Sequence, residues 1–351
     1  MTRPLRCFAY VLSVWCCGIA LASAPGGPAI TIVVPHRRVL PREPLYARLE
    51  LRNTGDVALG VVPPYHSYYR PGAAAIDEYT ITCEDGTREG NGWAGHSNQY
   101  VPVEFGRSFA GDPLGRRPWV IAAGASVSAW LEPLDAWPPL RPGRYHVVAR
   151  YRATEAMAAG IDGAVAGLPP DLGIWEGTAD LDFGWIEVAE PDGTDADALA
   201  WWCSADKPGA PPWGFPNDWI AQRRREFIER FPNSVYAASA EYYHLLWLSS
   251  RYPTHLTPVR AETEKLAKDA GEVTAEFVER HPDFPLMDLV PIVGPVARFS
   301  VQRYATRDDV RSAATEPLRA ADAIGDQRLA DWVRSIVRHR ERELEDPSAL
   351  P

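Results

Sequence analysis

Apolar residues recur with two different spacings along the chain, and the change of spacing divides it. From residue 29 to residue 190, apolar and polar residues alternate in short runs, which is the period of a half-buried strand. The segment 45–52 is the clearest case, and the turn-forming residues 53–56 follow it directly. Strands that recur between turn signals, with no helical run between them, predict an antiparallel β-sandwich. The predicted strands are 29–34, two runs within 45–62, 77–85, 125–134, 143–151 and 178–188.

In the C-terminal third, the spacing becomes that of amphipathic helices. Asn217 or Asp218 can cap a first helix that ends at Pro232, and Ser234 can cap the next. We predict four to six helices, including 235–252 and 326–346. The apolar residues that define them are Ile220, Phe227, Ile228 and Phe231, then Tyr243, Leu246 and Trp247, and finally Leu329, Trp332, Val333 and Ile336.

A ten-residue segment occurs twice in the helical region. EFIERFPNSV (226–235) returns fifty positions later as EFVERHPDFP (276–285). Both copies place a proline where a helix must end, so we expect the same helix end to be built twice. The second copy has Phe284 in place of the capping Ser234, and it is therefore a partial repeat.

Each copy also carries two glutamates spaced three residues apart beside an arginine. This spacing on a helix is typical of solvated ion pairs. Acid and base catalysis would require the carboxylates to converge across a cleft, and nothing in the sequence forces them to do so. We therefore expect exposed side chains at Glu226, Glu229, Glu276 and Glu279.

Two segments of the β region resemble the immunoglobulin-like modules of exported bacterial proteins. These are LELRNTGD (49–56) and LRPGRYHVVARY (140–151). In such modules a strand closes on an Asn-Gly type of turn, and a Pro-Gly pair, here Pro142 and Gly143, precedes an outer strand that carries Tyr. The resemblance implies an immunoglobulin-like sandwich over 27–190.

The first copy and the helix after it resemble the F-x-x-x-x-P-x-S-x-Y-A-x-x-A junction between helices of tetratricopeptide-like proteins of bacterial envelopes, including outer-membrane assembly lipoproteins. The period of fifty residues is longer than the roughly 34 of a regular tetratricopeptide unit. The resemblance therefore implies a short, degenerate helical array over 217–347, with a concave surface for peptides or partner domains. The matching residues are Phe227, Pro232, Ser234, Tyr236, Ala237 and Ala240.

The first 22 residues have the order of an export signal. A short basic start precedes an apolar run over 7–21, and the small residues Ala20 and Ala22 favour cleavage before Ser23. The alternative is an uncleaved anchor helix, but a run of about 15 residues falls short of the roughly 20 needed to cross a bilayer. We therefore expect an exported protein, periplasmic or extracellular, with no membrane span after cleavage.

Length and charge constrain the mature chain further. Cleavage would leave about 329 residues, more than one core usually organises, which predicts two domains. The net charge would move from −10 to −12, since the removed segment contains two arginines and no acids, and an acidic chain lacks the basic footprint of a nucleic-acid binder.

The segment 191–216 is predicted to be the linker between the domains. It is rich in Pro, Gly and Asp, which break helices and strands. Tryptophans at 201, 202 and 213 lie within it and Trp219 follows, so we expect it to pack along an interface.

Cys83 and Cys203 are the two cysteines outside the signal, and in an oxidising compartment they suggest one disulfide. The alternative is two buried thiols.

The candidate binding residues are aromatic and lie in two segments without a clear period, 63–72 and 90–118. Exposed rings there could stack on sugars or contact a protein, although they could equally cover an open end of the sandwich. The candidates are Tyr65, Tyr68, Tyr69, Trp93 and Tyr100.

The common catalytic motifs are absent from the sequence. No H-E-x-x-H, G-x-S-x-G or phosphate-loop signature occurs, and His96 with Ser97, within the segment 90–118, is the neighbouring base and nucleophile that we single out. We therefore predict a non-catalytic binding or scaffold protein of the cell envelope, without cofactor or metal, whose partner is an envelope protein. The alternatives are a module that binds carbohydrate or cell-wall polysaccharide through aromatic loops, and a hydrolase with its site in 90–118.

Overall fold

The fold is of the α+β class, with a region of mainly antiparallel strands followed by a helical region, as the sequence predicted. The computed structural model describes residues 20–23, 27–62, 76–93, 119–131, 140–153, 172–204, 218–249, 271–272, 274–302, 304–324 and 327–345.

The described strands form three sheets, ordered β1-β2-β4-β9, β3-β12-β10-β6-β7 and β11-β5-β8. Pairs are antiparallel except β3 with β12 and β5 with β11. Each predicted strand is present, with its ends moved by a few residues. The strands are β1 (Ala20–Ser23), β2 (Ala29–Val33), β3 (Arg38–Val39), β4 (Ala47–Arg52), β5 (Leu59–Val61), β6 (Ile76–Cys83), β7 (Arg88–Trp93), β8 (Trp119–Ile121), β9 (Ser126–Leu131), β10 (Gly143–Ala153), β11 (Gly173–Ile174) and β12 (Gly177–Val188).

The two runs within 45–62 lie in different sheets because the turn between them redirects the chain. The buried side chain of Asn53 holds this turn: its Nδ2 donates to the carbonyls of Val57 at 2.7 Å and Ile121 at 2.9 Å. Its Oδ1 accepts from Gly55 N. Asn53 therefore joins the turn to the end of β8, and β4 and β5 do not pair with each other.

The helices occupy most of the described chain after residue 192. The longest buried stretch is in α3, where nearly every side chain from Tyr236 to Leu245 is buried. Strands and helices share one continuous apolar core. The helices are α1 (Gly193–Cys203), α2 (Asp218–Arg230), α3 (Val235–Ser249), a helical segment over 274–280, α4 (Val290–Val301), α5 (Arg307–Ile324) and α6 (Gln327–Glu345).

Helix α1, which was not predicted, lies within the segment 191–216 that was predicted to be the linker. The run Ala196–Ala200 contains good helix formers, whereas most of the Pro and Gly residues come after position 207. Two of its tryptophans pack on the helical region: Trp202 is buried, and Trp201 and Trp202 contact the ring of Phe227. Trp213 lies outside the described residues.

The predicted cleavage site before Ser23 lies within β1. This strand pairs with β2, from Ala20 opposite Ile32 to Ser23 opposite Ala29. Cleavage would remove three of its four residues and leave β2 at the edge of its sheet, paired with β4. None of the helices in the described part of the chain is both long and apolar enough to span a bilayer.

The predicted disulfide between Cys83 and Cys203 is not formed, and both residues are thiols. Cys83 ends β6, where it pairs with Tyr145 of β10. Cys203 is the last residue of α1, a helix of 11 residues that is about 16 Å long and carries this cysteine away from the end of β12.

A cleft at the two helix junctions

A cleft of about 460 Å³ lies where both copies of the repeated segment meet the connection between β2 and β4. We call it the junction cleft. Its walls come from three stretches of chain, 36–46, 232–239 and 280–285. Its volume is in the range of small-ligand sites, and proline and aromatic side chains make much of the wall. The apolar residues include Val39, Pro44, Leu45, Tyr46, Pro232, Pro282, Phe284 and Pro285.

The two copies end their helices with the same hydrogen bonds, as the repeat predicted. In each copy, the residue before the proline donates to the carbonyl four residues earlier. The backbone N–H of the residue two positions after the proline then donates to the carbonyl of the residue that precedes the proline. The pairs are Phe231 N to Phe227 O at 2.8 Å and Ser234 N to Phe231 O at 3.1 Å, and His281 N to Phe277 O at 2.9 Å and Phe284 N to His281 O at 3.0 Å.

Beyond the shared turn, the two copies differ. Ser234 Oγ accepts from Tyr236 N at 3.3 Å, and α3 begins directly at Val235. Phe284 has no side-chain acceptor, and the chain makes further turns over 285–289 before α4 begins. The start of α3 therefore lines the junction cleft, while the start of α4 does not.

The β side of the cleft is a tight turn that fixes the carboxylate of Glu43. Glu43 N donates to Leu40 O at 3.0 Å, and Leu40 N donates to Glu43 Oε2 at 2.7 Å. Arg42, within the turn, has a φ of 66°. Burial raises the pKa of Glu43 to about 7; the hydrogen bond from Leu40 opposes this rise, and the charge of Asp195 adds to it.

Three contacts fasten this turn and the strand after it to the helices. Tyr46 donates to Ser239 Oγ at 3.4 Å, and its ring meets the ring of Phe284 edge-on, with centroids 5.5 Å apart. Tyr236 donates to Pro41 O at 2.8 Å. These contacts thus join the β side of the cleft to its helical side.

Behind the helical wall lies a fully buried carboxylate, Glu241 of α3. Arg280 Nη1 is 2.6 Å from Glu241 Oε1, and a second nitrogen of Arg280 is 3.1 Å from Glu276. His281 Nε2 lies 3.5 Å from Glu241 Oε2, and neither of these two atoms has a hydrogen-bond partner among the described residues. Both basic residues of the second copy therefore face a buried acid.

His36 and Asp283 lie on the same cleft from opposite sides, one from the β region and one from the second copy. Burial lowers the pKa of His36 below its ordinary value of 6.5, and the carboxylate of Asp283 acts against that shift. The imidazole is therefore mostly neutral at neutral pH.

The candidate aromatic residues are not brought to this cleft by the described structure. Tyr65, Tyr68, Tyr69 and Tyr100 lie outside the described residues, as do His96 and Ser97. Trp93 ends β7, with its backbone opposite Glu78, and residues 90–93 are thus a strand and not the irregular segment predicted. The glutamates of the two copies are all exposed, as expected.

Sequence reasoning missed the β side of the cleft, which His36, Glu43 and Tyr46 provide. A signal was present: VPHRRVLPREPL (34–45) places three prolines around several charges between two predicted strands. A segment of this kind is a loop that carries polar groups to one end of a sheet.

No known protein-family model, curated protein or solved structure matches the chain. Within the described part of the chain, no three His, Cys, Asp or Glu side chains converge in a way that could hold a metal ion. The shape and chemistry of the junction cleft are therefore the guide to function.

Proposed function

We propose that this chain is an exported, non-catalytic binding protein of the cell envelope, which holds a segment of a partner protein in the junction cleft. On this proposal the strands of 27–190 form an immunoglobulin-like sandwich, and the helices of 217–347 form a tetratricopeptide-like array. The observation that carries the proposal is the position of the cleft, since both copies of the helix junction open onto it.

The composition of the cleft favours binding. Apolar and aromatic walls with a few fixed polar groups are typical of ligand sites. The hydroxyls that could act as nucleophiles are already engaged: Ser234 Oγ donates to Asp195 at 2.8 Å, and Ser239 Oγ accepts from Tyr46. Neither serine has a histidine as its base in these contacts, as a catalytic pair would need.

An extended peptide segment is the partner that suits this geometry. The cleft lies between a β turn and two helix ends, and repeat-like helices commonly present such surfaces to peptides. Exposed Val235 and half-buried Ala238, on the first turns of α3, line the cleft from the helical side. A partner lying there would contact both residues.

The test fills the cleft and maps the contact. Ala238→Trp places an indole in the cleft, and Ser312→Trp places one on an exposed position of α5. We expect the first variant to lose a stoichiometric partner captured from native envelope and the second to retain it. Benzoylphenylalanine in place of Val235 should crosslink the same partner. Equal capture by both variants, with unchanged melting temperatures, would place binding elsewhere.

Carbohydrate binding is the second candidate, favoured by an exposed tryptophan on the sheet. The β10–β12 pair shifts register at Gly184, which has a φ of 74°, and Trp185 remains 42% exposed. The ring of His146 lies 5.3 Å away and the Arg144 guanidinium lies 5.5 Å away. An aromatic ring flanked by hydrogen-bonding groups can stack on a sugar.

This candidate is tested by co-sedimentation with cell-wall polysaccharide. Trp185→Ala should abolish sedimentation of the protein, while Val120→Ala, which shortens another exposed apolar side chain of the β region, should not. Equal sedimentation of both variants would show that Trp185 does not bind the polysaccharide.

A further inference from the structure

Glu43 is a cleft carboxylate with no basic partner among the described residues. Its Oε2 is held by Leu40 N, and its Oε1 makes no hydrogen bond within the described chain. The charged side chain that shifts the pKa of Glu43 is Asp195, which is also an acid and therefore raises it. Arg42, the preceding residue, does not line the cleft. A partly buried carboxylate without a counter-ion is unfavourable, and a cation supplied by a ligand would offset this.

The basic residues of the cleft do not supply that cation. Arg280 is paired with Glu241 and Glu276, and His281 faces Glu241 as well. His36 is largely neutral at neutral pH because burial lowers its pKa. The surface open to a ligand therefore has an excess of negative charge, from Glu43 and from the exposed carboxylate of Asp283.

An anionic ligand is disfavoured by the same geometry. The start of α3 is the natural donor site for an anion in this cleft. Its donors are already taken, because Asp195 Oδ1 accepts from Val235 N at 2.9 Å and from Ser234 Oγ. An anion in the cleft would therefore meet the carboxylates of Glu43 and Asp283 and would find these α3 donors occupied.

We propose that the junction cleft selects a partner group with a fixed positive charge, a guanidinium or a primary ammonium, and binds it against Glu43 with Asp283 as the second acid. This inference rests on the proposed function. The rings of Tyr46 and Phe284 in the cleft wall suit the apolar stem of such a group and the face of a guanidinium.

The experiment compares peptides that differ only in charge. Binding of acetyl-Ala-Arg-Ala-amide is measured by calorimetry against the isosteric citrulline peptide, which is neutral. We expect the citrulline peptide to bind about tenfold more weakly or worse at pH 8, because it cannot form a charge-assisted pair. An acetyl-Ala-Lys-Ala-amide peptide and free cadaverine separate two sources of the charge. Tighter binding of the peptide indicates a basic segment of a protein, and equal binding indicates a free amine.

Two variants assign the effect to the carboxylate. Glu43→Gln should reduce affinity for the arginine peptide about tenfold at pH 8, and Glu279→Gln, an exposed position outside the cleft, should not. For the wild type, affinity should rise about tenfold from pH 6 to pH 8 as Glu43 ionises. This rise should be lost in Glu43→Gln. Several titratable or charged groups share the surroundings of Glu43 and remain in that variant. They are His36, Arg42, Asp195, Cys203, Tyr236, Arg280, His281 and Asp283.

The outcomes distinguish the two proposals. Equal binding of the arginine and citrulline peptides, both abolished by Ala238→Trp, would overturn the selection of charge and leave the cleft as the binding site. Unchanged binding in Glu43→Gln would overturn the role of that residue. Binding of neither peptide at millimolar concentration would overturn the inference, whereas loss of the native partner in Ala238→Trp would still support the proposed function.

Discussion

The carboxylate of Asp195 caps a helix that begins 40 residues later: its Oδ1 accepts from Ser234 Oγ at 2.8 Å and from Val235 N at 2.9 Å. Asp195 lies in the first turn of α1, so one acid joins the segment after the last strand to the central helix α3. Ser234 alone satisfies one backbone donor, that of Tyr236. Asp195 and Ser234 together accept hydrogen bonds from the backbone N–H groups of Val235 and Tyr236 at the start of α3. A partly buried helix end needs such acceptors, because its first N–H groups have no partner within the helix.

Asp195→Ala should lower the free energy of unfolding by about 1–2 kcal/mol, which is the range measured for loss of a helix cap. Urea denaturation checks this. Asp197→Ala, at an exposed position of the same helix, should change the value by less than about 0.5 kcal/mol. Similar losses in both variants would show that the effect comes from α1 itself and not from the cap of α3.

The repeated segment offers a matched pair of arginines. Arg280 pairs with the fully buried Glu241, whereas Arg230, the equivalent residue of the first copy, is exposed and lies near the ring of Phe231. Arg280→Ala should cost about 3 kcal/mol, since it leaves a buried carboxylate without its counter-ion. Arg230→Ala should cost less than about 1 kcal/mol. Chemical denaturation of both variants decides, and equal costs would contradict a structural role for the buried pair.

Local patterns predicted the elements of this region well. The helix that ends before Pro232 and the cap at Ser234 follow from proline chemistry and side-chain capping, and α2 and α3 have the expected bounds within a few residues. The shared helix end follows from the repetition of Phe and Pro at the same spacing. These features depend on residues close together in sequence.

The junction cleft could not be predicted in this way because its walls are distant in sequence. Tyr46 and Ser239 are 193 positions apart, and they meet only because the chain that follows the β turn packs on α3. The burial of Glu241 could not be predicted either, since a glutamate within a helical run is usually solvated, and here it is fully buried and paired with Arg280. Helix α1 was not predicted because Pro, Gly and Asp are frequent in 191–216, although most of the Pro and Gly residues follow the helix.

The state of the cysteines gives a redox prediction. Cys83 and Cys203 are thiols, so dithiothreitol should leave the melting temperature unchanged. Iodoacetamide should modify exposed Cys203 faster than half-buried Cys83, which peptide mass spectrometry would show. The double replacement by serine provides the control, because it should melt like the reduced protein. A fall in melting temperature on reduction of the wild type alone would instead indicate a bridge.

Stability should depend on pH through Glu43. Its pKa is about 7 in the folded chain, above its ordinary value of 4.5, so between these values the folded state keeps a proton that the unfolded state has released. The stabilisation is therefore complete below pH 4.5 and is lost as the pH rises to 7, by about 3 kcal/mol at most. His36 acts in the opposite direction because its pKa is lowered.

The quantity to measure is thus the difference in the free energy of unfolding between wild type and Glu43→Gln. Urea denaturation from pH 4.5 to 8 should show the variant gaining stability relative to wild type as the pH rises, whereas Glu279→Gln should keep the wild-type slope. A constant difference across this range would mean that Glu43 titrates alike in the folded and unfolded chain.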